Sequence, residues 1–290
     1  MFYFRSMAKK FPIDILDGLP VGEEVGDWAL EKHERLRRYI EIARGARSKY
    51  LGASNPDAYR GGATYIDLFS GPGRSRIRGT GEIIDGSPLV AFKAAASGMA
   101  PFSEIHLADV EPEFSAAAAQ RIVNAGGTAF AYAGPAEKTA KEIVSRLNPH
   151  GLHLAFLDPF NLADLSFEVI RTLAAVKHVD FLMHVSVQDL QRNTDRYTAE
   201  EAKAFDQFAP GWRATVSTEQ NLISIRAAVL NHWRSLVHGL GFMEIRTADL
   251  VRGNRNQRLY WLVFASRHPI ANAFWEKIRH IVTGQGSLGL

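Results

Sequence analysis

The 290-residue chain has no cysteine. That excludes disulfides, thiolate metal sites and any reaction that needs a cysteine nucleophile. Net charge is also nearly absent. Against 34 Lys+Arg stand 31 Asp+Glu, leaving +3, so any basic surface must be local. No apolar run approaches the roughly 18 residues of a membrane span. The opening MFYFRSMAKKF is too short and too basic for a secretory leader. These absences predict a cytoplasmic protein with no membrane association. What is present is ordinary globular material: 46% hydrophobic residues, enough for one large core, and no internal repeat.

The stretch that organises the rest is TYIDLFSGPGRSRIRGTGEIIDGSP, residues 64–88. Tyr65-Ile66-Asp67-Leu68-Phe69 is dense in aromatic and β-branched residues and predicts a buried strand. Ser70-Gly71-Pro72-Gly73 breaks it, the glycines allowing a tight turn and close approach to a ligand. After a basic loop, Ser87 is expected to cap a helix with Pro88 at its first position. A strand, Gly turn and helix open a nucleotide-binding α/β sheet. The D-x-x-x-G-x-G order resembles motif I of S-adenosylmethionine-dependent methyltransferases. It fits the dinucleotide G-x-G-x-x-G less well, because Arg76 stands where the third Gly belongs.

Along the chain, residues 1–26 hold Pro12, Gly18, Pro20, Gly22 and Gly26 and predict an extended arm. Asp27 is a candidate cap for a helix running to about Tyr50, with Lys32, His33, Arg35, Arg37, Arg38, Arg44, Arg47 and Lys49 as a basic face. Strands are expected at Glu104–Asp109, 128–133, 153–157 and 179–187, each but the last followed by a helix. An insertion is expected over 188–212, and a helix over 221–238. Two strands, 242–247 and 259–266, then precede a last helix over 270–282. Such alternation predicts an α/β, Rossmann-like sheet of seven mostly parallel strands with helices on both faces. The final antiparallel strand is what the class I methyltransferase fold adds. The whole is expected to be one domain: arm and helix 1–62, core 63–187, insertion 188–212, and the rest of the sheet 213–290.

Ligands in such sheets sit beyond the carboxyl ends of the strands. Residues at those ends are therefore candidates, and the resemblance to methyltransferases implies Asp67, Phe69, Ser70, Gly71 and Gly73 at the methionine end of the cofactor, Asp109 at its ribose and Ala136 beside its adenine. Asp158-Pro159-Phe160-Asn161 resembles the D/N-P-P-Y/F motif of amino-group methyltransferases, with Phe160 replacing the second Pro and Asn161 the aromatic. Asp158, Phe160, Asn161 and Asp85 are therefore the candidate catalytic residues. Asp-Leu-Phe-Ser-Gly-Pro-Gly is also similar to the opening of cytosine-C5 DNA methyltransferases, whose cysteine nucleophile is lacking here. His106 and His184 sit in apolar strands and are read as core histidines. Arg74, Arg76 and Arg78, with Arg255 and Arg258 of the link before the last strand, are candidate phosphate contacts.

Four motifs occur together: Trp28-Ala29-Leu30-Glu31-Lys32-His33, Tyr65 through Gly73, Asp85-Gly86-Ser87-Pro88, and Leu157-Asp158-Pro159-Phe160. This combination resembles the three-Cys-motif partner family, TcmP. The resemblance implies a methyltransferase-like protein that binds S-adenosylmethionine and works beside a separate radical-SAM-like protein carrying three cysteines. Nucleic acid is the expected substrate. Two alternatives stay open: a non-catalytic recruiting subunit, and a nuclease or hydrolase holding a divalent metal with Asp67, Asp85, Asp109 and Asp158.

Overall fold

A computed structural model describes residues 11–26, 28–52, 61–199, 202–245, 248–253 and 257–284. Its elements begin with β1 (Gly22–Val25), α1 (Trp28–Ile42), α2 (Arg44–Leu51), β2 (Ala63–Asp67), β3 (Arg74–Ile77), β4 (Ile83–Asp85) and α3 (Ser87–Ser97). There follow β5 (Glu104–Asp109), α4 (Pro112–Asn124), β6 (Ala129–Ala133), α5 (Ala136–Val144), β7 (Leu152–Leu157), α6 (Phe167–Ala174) and β8 (Val179–Ser186). The last are α7 (Val187–Thr198), α8 (Ala204–Phe208), α9 (Leu222–Gly239), β9 (Asp249–Arg252), β10 (Arg258–Ala265) and α10 (Pro269–Gly284).

Seven strands form one sheet in the order β6-β5-β2-β7-β8-β10-β9. Pairing is parallel from β6 through β8, and β10 runs antiparallel to both its neighbours. This is the Rossmann-like, mostly parallel arrangement expected, with the one reversed strand next to the edge. The chain builds outward from β2 through β5 to β6. It then returns to lay β7 on the other side of β2. Strand order therefore reverses between β2 and β7, the crevice where such sheets take their ligands.

Helices cover both faces, which is why all five residues of β2 are buried, Thr64 and Asp67 among them. One face buries Leu36 and Ile40 of α1, Leu89 of α3, Ile122 of α4 and Trp275 of α10. The other buries Ile143 of α5, Ile170 of α6, Phe208 of α8 and Trp233 of α9. The 188–212 stretch supplies Phe205, Phe208 and Trp212 to this second core, and Phe208 stacks on Trp233 at 5.2 Å.

Three local expectations are corrected. The single helix expected up to Tyr50 is two helices meeting at Ala43, and its proposed cap, Asp27, lies outside the described residues. Arg47 turns inward at that junction, donating to the carbonyls of Ala100 at 2.9 Å and Ile40 at 2.5 Å. Gly86, not Ser87, caps α3, because the Ser87 hydroxyl donates to Asp67 instead. The strand expected over 242–247 forms later, at Asp249–Arg252. Phe242 is spent on the core against Phe181, with the Arg267 guanidinium 4.2 Å over its ring, while Arg246 and Thr247 lie outside the described residues.

The basic stretch after the Gly turn is an antiparallel hairpin, β3 with β4, and β1 of the arm pairs parallel to β3. The arm is thereby strapped over the turn. Arg121 of α4, almost fully buried, clamps it: Nε donates to Asp17 at 2.7 Å, and Nη1 donates to the carbonyls of Pro20 and Pro72.

Candidate active site

The Gly turn is built from the backbone and tied down by carboxylates. Gly71 and Gly73 take φ of +53° and +84°, a region that disfavours a side chain. A Cβ on Gly73 would lie 3.2 Å from the Ala118 backbone, so α4 packs directly on the turn. A Cβ on Gly71 would meet nothing within 4 Å, so that peptide faces open space. Asp109 at the end of β5 accepts from Gly71 N on one oxygen and from Glu111 N on the other, both at 3.0 Å. Burial raises its pKa, against these bonds. Each oxygen keeps a lone pair for a further donor.

Asp67 does not face this space. It is fully buried behind the turn, accepting from Ser87 Oγ at 2.7 Å, Phe69 N at 3.1 Å and Tyr65 OH at 3.1 Å. Burial lifts its carboxyl to about 7. Its position inside the strand, four residues before the first Gly, directs it into the core. It braces β2, the turn and α3. Ser70 is likewise buried, its N–H donating to the Ala108 carbonyl at 3.0 Å. Phe69 is half-buried against the core, and Ala136 opens α5.

Across the crevice the carboxyl ends of β7 and β8, with the beginning of antiparallel β10 beside them, carry a second constellation. Asp158 forms an ion pair with Lys32 of α1, and its other oxygen lies 3.2 Å from His184 Nδ1. Burial would raise its pKa. Lys32, then His184, outweigh burial and hold the carboxyl below its usual range. Burial, then Lys32, lowers His33 to about 4, and its buried Nδ1 has no hydrogen-bond partner. Burial also lowers His184 to about 4, against the pull of Asp158. The Tyr260 ring stands edge-on to His184 at 4.3 Å, and Lys32 Nζ lies 5.7 Å over that ring.

His184 thus differs from the core histidine expected; His106, bonded to Tyr132 OH at 2.8 Å, fits that description. Lys32, His184 and Tyr260 were not legible as site residues. The only available signal was the Lys-His pair within the first-helix motif, which the fold delivers to the Leu157–Phe160 motif.

The remaining candidates are placed as follows. Asp85 pairs with Lys93 and lies 3.6 Å from Arg74. Phe160 is 87% exposed beside Asp158. Asn161 closes its own loop, exchanging bonds with Asp164. Arg74 does not present itself to phosphate: it pairs with buried Asp14 at 2.6 Å, because the strap needs that cation. Arg78 is exposed and donates to the Glu24 carbonyl, while half-buried Arg76 has an unpartnered Nε. Arg258 is exposed at the carboxyl-end rim, where β10 begins beside the end of β8. Arg255 lies outside the described residues. The basic face of α1 is largely spent, Arg35 on Glu31 and Arg37 and Arg38 on Glu34.

Nor do the four acids converge on a metal. Asp67 is buried, Asp85 and Asp158 are paired with lysines, and Asp109 holds two backbone N–H groups. Among the described residues no group of three or more His, Asp or Glu could hold one. A surface cavity of about 500 Å³ lies at the other edge of the sheet, where Pro149, His150 and His178 precede β7 and β8. It has neither the turn nor the charged cluster, and ligands of such sheets bind at the opposite strand ends.

No family model matches the chain, and no curated protein matches it. The fold is similar to several solved structures. A Legionella pneumophila protein of family DUF519 is 9% identical, with 88% of this chain and 91% of that one covered at a TM-score of 0.48. A candidate RNA methyltransferase from Pyrococcus horikoshii is 10% identical, covering 87% and 94% at 0.41. The trans-methyltransferase CalH, solved with SAH, is 13% identical, covering 80% and 58% at 0.41. At such identities the likeness is one of fold alone.

Proposed function

We propose that this chain binds S-adenosylmethionine at the Gly-turn half of the crevice and transfers its methyl group to nucleic acid held across the other half. The observation that carries this reading is the Gly71 peptide, open to the crevice and fixed by Asp109 at the point of strand reversal. The residues present fit an adenosyl ligand: Asp109 has free lone pairs for ribose hydroxyls, and exposed Val110 follows it as an apolar surface for the base. The bound donor supplies an electrophilic methyl group.

The chain's own residues do the rest. Lys32 keeps Asp158 ionised where substrate would meet donor. Exposed Phe160 offers a ring on which a nucleic-acid base can stack, and Arg258 supplies a rim cation for phosphate. The reading includes work in the cytoplasm beside a three-cysteine radical-SAM-like partner, as the resemblance of the motifs implies. Among the described residues no helix is long and apolar enough to cross a membrane.

Calorimetric titration with S-adenosylhomocysteine tests the donor site. Saturable binding that Asp109→Ala weakens is expected; no binding by the wild type would sink the reading. Asp158→Asn should leave that binding intact and stop methyl transfer.

A further inference from the structure

We propose that His184 is the general base of this site, taking through Nε2 the proton of a ribose 2′-hydroxyl, so that RNA rather than DNA is the acceptor. The inference rests on the methyl-transfer reading above and assigns its acceptor atom.

The argument starts from one hydrogen bond. His184 Nδ1 lies 3.1 Å from the Pro159 carbonyl and 3.2 Å from Asp158. A carbonyl only accepts, so Nδ1 carries the ring proton and Nε2 of the neutral ring is a bare lone pair. Among the described residues Nε2 has no hydrogen-bond partner, and 13% of the side chain stays open. Burial lowers His184 to about 4, so the ring is neutral and able to accept above that pH. The groups facing it are Lys32 from α1, Asp158 after β7 and Tyr260 from β10. Asp158 is the counter-charge for the imidazolium that forms when a proton arrives.

The same contacts argue against an exocyclic amine as acceptor. An exocyclic amine is held by acceptors for its N–H groups, and those at this site are Asp158 and the Pro159 carbonyl. Here Lys32 and His184 already occupy Asp158, and His184 occupies the Pro159 carbonyl. What the site offers a nucleophile is a base. A hydroxyl needs one, since it must lose its proton to attack. Within a nucleic-acid chain that hydroxyl is the ribose 2′-OH, which DNA lacks. The step balances. Oxygen bonds the methyl carbon, the sulfur–methyl bond breaks with its electron pair on sulfur, and the hydroxyl proton passes to Nε2 and later to water.

Two measurements on the full chain test this. Imidazole ¹⁵N spectra should show His184 neutral and protonated at Nδ1, titrating near 4, and Lys32→Met should raise that value by about one unit or more. An Nε2-protonated ring, or titration near the unfolded value in the wild type, would overturn the assignment. Tritiated methyl transfer to total RNA and, separately, DNA gives the second. Label is expected in RNA only, within dinucleotides that survive alkali, because a 2′-methyl blocks alkaline cleavage. His184→Gln should slow transfer by about 100-fold or more with S-adenosylhomocysteine affinity unchanged, which also shows that the variant is folded. Label in bases or in DNA, full-rate transfer by the variant, or a wild type that binds the ligand yet labels no RNA would each overturn the proposal while sparing the donor site. A wild type that does not bind S-adenosylhomocysteine overturns the donor reading itself, and the base assignment falls with it.

Discussion

The two halves of the crevice are made of different material. On the β2–β5 side, backbone amides and glycine conformations do the work, and carboxylates serve to hold peptide groups in place. On the β7–β8–β10 side, charged and aromatic side chains from four separate segments meet. Lys32 and Asp158 are 126 residues apart, yet paired. The first half is rigid by steric necessity, with Gly73 against Ala118 and Arg121 locking the strap to Pro72. The second is held by electrostatics in a partly buried setting, where its stability depends on every charge keeping its partner. The Gly turn and the charged cluster thus respond to different perturbations, and each can be broken separately.

Acid should break the charged half first, and this is the largest effect expected. Burial holds His33 and His184 of this half, and His153 at the other end of β7, near 4, against 6.5 when unfolded. Between those values the unfolded chain binds more protons than the native one. The stabilisation is therefore complete above 6.5 and is lost as the pH falls toward 4. Asp67 in the turn half acts in the opposite sense. Burial raises it to about 7 from 3.8, so its contribution diminishes as the pH rises through that window. Burial also raises Asp109, Asp164 and Asp180, which act with Asp67 from 3.8 upward, and lowers His106 and His178, which act with the other histidines up to 6.5, so net stability should climb as the pH rises toward 6.5. Asp67→Asn, which resembles the protonated acid, should make the acid loss steeper. Urea denaturation from pH about 4.5 to about 7.5 reads both slopes; a flat wild-type profile would contradict the picture.

Lys32→Met comes next. It strands a mostly buried carboxylate and should cost about 3–5 kcal/mol in denaturant melts, with much of that returned by adding Asp158→Asn. If the single variant is as stable as the wild type, the pair is not holding the charged half together. Gly73→Ala probes the other half. A side chain at φ +84° against the Ala118 backbone should cost about 1–3 kcal/mol and leave the imidazole spectrum of His184 unchanged. Movement of that spectrum would mean the halves are coupled. Asp109→Ala is the mildest. It frees the Gly71 and Glu111 amides and should lower S-adenosylhomocysteine affinity by about ten-fold, again without altering His184. An unchanged affinity would remove Asp109 from the donor site.

The turn half could be read from the sequence because its strand and Gly-Pro-Gly are contiguous, and Asp109, 38 residues beyond Gly71, ends a strand with a legible pattern of its own. Local conformational rules act on neighbours. Glu104–Asp109 forms the strand expected of it residue for residue. Where that reading failed, a side chain had a tertiary use that outweighed its local one. Ser87 gives up capping to donate to Asp67, Arg74 and Arg47 turn inward to anchor the strap and the α2 junction, and Phe242 plugs the core instead of joining a strand. The charged half had no such local signature. His184 looks like any polar residue interrupting an apolar strand until β8 places it beside the Pro159 carbonyl and Asp158, and Lys32 looks like a solvated helix charge until α1 packs its first turn onto the strand ends. The sequence by itself determined the sheet, its order of construction and the turn, because periodicity and glycine chemistry are local. Only the tertiary structure decided which cation meets which acid and which histidine keeps a free lone pair, because those depend on distances that no neighbour in the chain controls.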